Sequence, residues 1–149
     1  MARVTLLLPP EFIYKTNLIV RISDINYGGH LGNDTVLTLL HEARFRFLKS
    51  LGYQNEIDLE NDTGLIVADS VVIYRAEAFH GDNIEVHLAV YDHNAYGFDI
   101  FYYLKNGETG KEIARAKTGI VCLNYKKKKI TKTPEEFIKR LTELEAYTI

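Results

Sequence analysis

Two periodicities divide the chain. From Val36 to Leu51 the apolar residues Val36, Leu37, Leu39, Leu40, Ala43, Phe45, Phe47, Leu48 and Leu51 recur at helical spacing. They cover most of a helix circumference, the pattern of a helix buried on nearly all sides. Asn33, or Asp34 beside it, is the expected N-cap, and Gly52 supplies the C-terminal stop. The second period is two. Glu11 to Ser23 reads as a strand in which Leu18, Val20 and Ile22 oppose Arg21 and Ser23. Leu65–Ala76, Ile84–Tyr91, Phe98–Lys105 and Lys111–Tyr125 read as further strands.

Turns separate these elements. The polar stretch Tyr53 to Thr63 is a surface loop, His80-Gly81-Asp82-Asn83 and Asp92 to Gly97 are turns, and Asn106-Gly107-Glu108-Thr109-Gly110 is a hairpin. Thr133-Pro134-Glu135-Glu136 opens a short terminal helix, with Thr133 as cap, Pro134 at the first helical position and Glu136 closing a capping box. One strand, one long helix and a run of hairpin-linked strands make an α+β domain spanning residues 1–149. The simplest arrangement curls an antiparallel sheet of about five strands around the central helix. Valine, tyrosine and phenylalanine on the sheet's outer face are best covered by a second copy, so at least a homodimer is expected.

Composition narrows the function classes. A formal net charge of −2 gives no electrostatic case for nucleic acid or an anionic membrane as partner. No apolar run approaches the ~20 residues of a membrane span. Leu6-Leu7-Leu8 is too short for the apolar region of a signal peptide. Cys122 is the single cysteine, so no intrachain disulfide forms, and a reducing, cytoplasmic setting is expected. In an apolar strand segment, Cys122 reads as a buried, inert thiol. His41, His80, His87 and His93 show no metal-ligand spacing, so no metal is expected. Lys126-Lys127-Lys128-Lys129 reads first as a solvated strand end, although it could meet the phosphates of a ligand or an acidic protein.

The chemistry concentrates between Ser23 and Asn33. Asp24, Asn26, His30 and Asn33 are interleaved with Gly28, Gly29 and Gly32, and the stretch empties into the start of the central helix. Glycine lets a ligand approach the backbone, and a helix N-terminus offers free N–H groups and favours negative charge.

These residues resemble a known family. Asp24-Ile25-Asn26-Tyr27-Gly28-Gly29-His30-Leu31-Gly32-Asn33 is similar to the D-x-D/N-x-x-G-H-x-x-N loop of hotdog-fold thioesterases, of the 4-hydroxybenzoyl-CoA and acyl-CoA or acyl-ACP thioesterase kind. Glu42-Ala43-Arg44 resembles the E-A-R of that family's central helix. Tyr74-Arg75-Ala76 with His80-Gly81-Asp82, and Thr133-Pro134 before the last helix, resemble further family positions. The resemblance implies a hotdog fold, an acyl-CoA or acyl carrier protein thioester as substrate, no separate cofactor, and a dimer or dimer of dimers. One position departs from it. Where the benzoyl-CoA type has a catalytic aspartate, this chain has Asn26, which cannot accept a proton at neutral pH. That puts the nucleophilic-aspartate mechanism in doubt and moves the likeness toward plant-type acyl-ACP thioesterases, where an asparagine, a histidine and a carboxylate share the work.

Thioester hydrolysis needs a water on the carbonyl, a base for its proton, and donors for the oxyanion. His30 is the candidate base, or else a hydrogen-bonding strut of the loop. Asn26 is expected to position water or carbonyl. Glu42 is either a catalytic carboxylate or the ion-pair partner of Arg46 at i+4. Asp24 is either a second catalytic carboxylate or a cap on backbone N–H groups. Backbone N–H groups around Gly29 to Leu31 are the expected oxyanion and substrate donors. Arg44 fits the family pattern or pairs with a carboxylate across the subunit interface. Two other readings remain open: an acyl-thioester hydratase or dehydratase, and a non-catalytic acyl-thioester binder. Hydratases of this fold resemble D-x-N-P-x-H; here Tyr27 replaces the proline and His30 lies one residue further on.

Overall fold

The computed structural model describes residues 1–149. In chain order it contains β1 (Tyr14–Ile19), a 3-10 turn (Ile22–Asp24), α1 (Asn33–Ser50), β2 (Thr63–Tyr74), β3 (Asn83–Asn94), β4 (Gly97–Asn106), β5 (Glu112–Asn124), β6 (Lys129–Ile130) and α2 (Glu135–Thr142). The strands form one antiparallel sheet in the order β1-β3-β4-β5-β2, with β6 paired to β5. This is the curled sheet around a long helix that the hotdog resemblance implies, with a sixth, two-residue strand added.

The buried residues of α1 are Val36, Leu39, Leu40, Ala43, Arg44, Phe47 and Leu48. Their spacing traces one stripe, so the helix is not enclosed on all sides as its composition suggested. Leu37 is 43% exposed, and His41, Glu42, Arg46 and Lys49 share the open side. The stripe packs on inward-facing residues of the sheet, among them Leu88, Ile100, Tyr102 and Leu104. Beneath it, Arg44 donates to Glu56 at 2.6 Å, and the Tyr102 hydroxyl meets Thr118 Oγ1 at 3.0 Å. Burial disfavours the Arg44 charge, but Glu56 and the Tyr102 hydroxyl outweigh it and hold the guanidinium protonated. That network ties the Tyr53–Thr63 connection to α1.

Several boundaries differ from those expected of the sequence. The first strand shrinks to Tyr14–Ile19; Phe12 bridges Tyr147, and the chain turns at Ile22. β3 runs on to Asn94, so its turn to β4 is only Ala95-Tyr96. Gly32, not Asn33 or Asp34, is the N-cap of α1, and no side chain caps it. Pro134 is the N-cap of α2 rather than its first residue. Thr133 makes no capping bond; it is buried and its hydroxyl meets Cys122 Sγ at 3.4 Å. Cys122 is fully buried, and burial pushes its thiol up.

His87, on β3, is buried between Tyr147 Oη at 2.8 Å and Glu85 Oε1 at 2.6 Å. Desolvation, helped by Lys105 and Lys15, pulls its pKa below 6.5 despite Glu85. Burial opposes the Glu85 charge, yet His87 and Lys105 leave its pKa below 4.5. Between the folded and unfolded pKa of either group, the unfolded chain binds more protons, so both contributions are lost as pH falls. Stability is therefore expected to decline as pH drops below 6.5, and again below 4.5. Urea unfolding across that range checks it; in His87→Gln the first decline should disappear.

Candidate active site

The polar loop is shaped by its own backbone. After β1 the chain makes the 3-10 turn and doubles back: the Asn26 N–H donates to His30 O at 2.9 Å, and the Gly29 N–H to Asn26 O at 3.1 Å. Gly29 sits at φ +83°, the left-handed region that glycine enters at little cost. The Gly32 N–H returns to Asp24 O at 3.0 Å. Two contacts then fasten the loop to the end of β2: Leu31 N–H to Ala78 O at 2.8 Å, and Tyr74 Oη to Asn33 O at 2.9 Å. Burial, with the Asp34 carboxylate nearby, pushes the Tyr74 phenol up and keeps it a donor.

A cavity of about 450 Å³ opens where these segments meet. Asn26, His30, Leu31 and Val36 line one side; Tyr74 to Ala78 of the β2 end, with Ile113 and Ala114, line the other. Asn26 Oδ1 accepts from the Gly28 N–H at 2.9 Å, which leaves its amide N–H₂ to donate. His30 Nδ1 lies 3.2 Å from Leu31 O. A carbonyl only accepts, so Nδ1 carries the proton of the neutral ring and Nε2 keeps a lone pair. Asn26 Oδ1 and His30 Nε2 each lie 3.2 Å from where a Cβ on Gly28 would stand. The bare backbone at Gly28 is thus what leaves both side chains in place.

The other residues expected at the site land elsewhere. Asp24 is buried; its Oδ2 accepts from the Arg21 backbone N–H at 2.8 Å, and its Oδ1 pairs with Arg21 Nη2 at 3.3 Å. It caps the 3-10 turn and does not line the cavity. Glu42 does not line it either. It sits on the open side of α1, paired with Arg46 Nε at 2.7 Å, over a second hollow of about 590 Å³ between α1, the end of β1 and residues 55–57. The N–H groups of Gly29 and Leu31 are consumed by Asn26 O and Ala78 O, so neither is an oxyanion donor. Between Gly29 and Asp34 the unpaired N–H groups are those of His30, Asn33 and Asp34, at the loop end and first turn of α1. Arg44 pairs with Glu56 of its own chain.

The sequence alone did not point to Glu77, whose Oε1 stands 3.7 Å from His30 Nε2. Its only signal is its place directly after Tyr74-Arg75-Ala76. No group of three or more His, Cys, Asp or Glu is arranged to hold a metal.

The profile of the thioesterase-like superfamily matches residues 20–141, which carry the loop, α1 and the whole sheet beyond β1. The chain belongs to that superfamily. Among solved structures, a 1,4-dihydroxy-2-naphthoyl-CoA thioesterase from Synechocystis superposes with a TM-score of 0.79 at 24% identity, covering 89% of this chain and 96% of its own. A gentisyl-coenzyme A thioesterase superposes with a TM-score of 0.74 at 15% identity, covering 85% of this chain and 98% of its own. At these identities the likeness is one of fold. Comparison with the curated proteins finds no match. In this thioesterase the carboxylate nearest His30 is Glu77. No helix of the thioesterase is long and apolar enough to cross a membrane.

Proposed function

We propose that this thioesterase hydrolyses an acyl-CoA, with His30 as general base and Asn26 as a donor to the thioester carbonyl. The observation that carries this reading is the pair of free groups in one cavity: an Nε2 lone pair on His30 and an amide N–H₂ on Asn26. Water gives a proton to Nε2 as its oxygen bonds to the carbonyl carbon. The C–S bond then breaks, and the departing thiolate takes the proton back from the imidazolium. The unpaired N–H groups of His30, Asn33 and Asp34, at the positive end of α1, are available to the oxyanion. Leu31, Val36, Ala76, Ala78 and Ile113 give the acyl group an apolar seat. Coenzyme A is favoured over a carrier protein because the naphthoyl and gentisyl relatives are both thioesterases of CoA esters.

Steady release of free thiol from a panel of aromatic and aliphatic acyl-CoAs tests the reading. Loss of an enoyl chromophore without free thiol would instead assign a hydratase, and binding without product a non-catalytic carrier.

A second copy is proposed to pair along β2. That strand has twelve residues, bonds only β5, and leaves its other edge open with Ile66 and Val67 exposed. Long open edges of this kind recruit a further strand. Light scattering should give two or four times 17.1 kDa; a single-chain mass would reject the pairing.

A further inference from the structure

We propose that Glu77 is the carboxylate that serves His30, a positioning residue that holds and stabilises the imidazolium as it forms. The inference rests on the hydrolytic reading and deepens it. A histidine base gains from a carboxylate partner, and Asn26, the other polar side chain of the loop that lines the cavity, is an amide and supplies none. Neither other candidate carboxylate can substitute. Asp24 is buried against Arg21, and Glu42 pairs with Arg46 over a different hollow.

Glu77 stands beside the imidazole. Its Oε1 is 3.7 Å from Nε2, the nitrogen left without a proton once Nδ1 faces Leu31 O. The backbone around it is held: Ala76 N–H donates to Ile113 O at 3.2 Å, and Ala78 O accepts from Leu31 N–H at 2.8 Å. The carboxylate is thus carried by a braced segment while its side chain, 65% exposed, lies at the cavity mouth. A lone pair and a carboxylate form no bond with each other, so the 3.7 Å gap suits the resting ring. Once Nε2 takes a proton, the same geometry becomes an N–H facing an anion. The other charged groups about the cavity do not compete for this place. Arg75 lies 4.0 Å from Glu112, and Asp34 stands near Tyr74 at the head of α1.

The test is a double-mutant cycle with acyl-CoA as substrate. Glu77→Gln should lower kcat about 10-fold with KM and thermal midpoint unchanged, and Glu77→Asp should recover part of the loss. In a His30→Ala background, Glu77→Gln should have no further effect, because the carboxylate acts through the ring. Added formate should restore activity to Glu77→Ala, the site being open to solvent. Full activity in Glu77→Gln, or an equal loss with and without His30, would overturn the assignment. A wild-type chain that releases no thiol from any acyl-CoA overturns the hydrolytic reading instead, and this inference with it.

Discussion

His30→Ala is expected to lower kcat for acyl-CoA hydrolysis by about 10²- to 10⁴-fold, the span of a positioned general base. The ring is the loop side chain that brings a nitrogen lone pair into the cavity. Its Nδ1 is committed to Leu31 O, so Nε2 alone can take the proton from water. The side chain is partly exposed and outside the hydrophobic core, so the fold should survive its removal and the loss should lie in kcat. Gly28→Ala tests the same geometry without replacing either functional side chain. Its Cβ would press on Asn26 Oδ1 and His30 Nε2 at 3.2 Å, so activity should fall about 10-fold or more while the thermal midpoint holds. Free-thiol kinetics beside a thermal melt check both variants. A His30→Ala enzyme of undiminished rate would remove the imidazole from the chemistry.

The largest expected stability loss comes from Arg44→Met, about 3 kcal/mol, the low end of the cost of stripping one partner from a buried ion pair. The Arg44 side chain is only 8% exposed, and its removal leaves Glu56, 17% exposed, without its inner partner. Glu56 keeps His41 at 2.8 Å on the outer side, which places the cost at the low end. The double variant Arg44→Met, Glu56→Gln should recover part of the loss, because no stranded charge remains. Urea unfolding gives the answer through the midpoint, with the slope unchanged if folding stays two-state. Equal stability of Arg44→Met and wild type would show that the pair holds nothing.

These outcomes turn on features of unequal legibility. The Asp24–Asn33 loop could be read as a site because short-range chemistry marks it: polar side chains, glycines and a helix start in direct succession. The ion pair of Glu42 with Arg46 is equally local, since residues four apart on a helix meet whatever surrounds them. Leu37 and Phe45 are apolar by type, yet Leu37 is exposed and Phe45 only half-buried. Only the packing shows that the sheet covers the stripe from Val36 to Leu48 and leaves the other side open. The cap on α2 failed for a similar reason: the core took the Thr133 hydroxyl to meet Cys122.

By itself, then, the sequence determined the α+β class, the long helix, the hairpin order of the strands and the loop that carries Asn26 and His30. Each of these is written in periods and turns among near neighbours, which the backbone reads locally. The tertiary structure alone decided which groups meet: Glu77 beside His30, Asp24 turned inward to Arg21, Glu42 on another hollow, and free N–H groups at His30 and Asn33 instead of Gly29 and Leu31. The physical reason is that each depends on the docking of the loop against the end of β2, through Leu31 to Ala78 and Tyr74 to Asn33. No local pattern encodes a contact between segments so far apart in the chain.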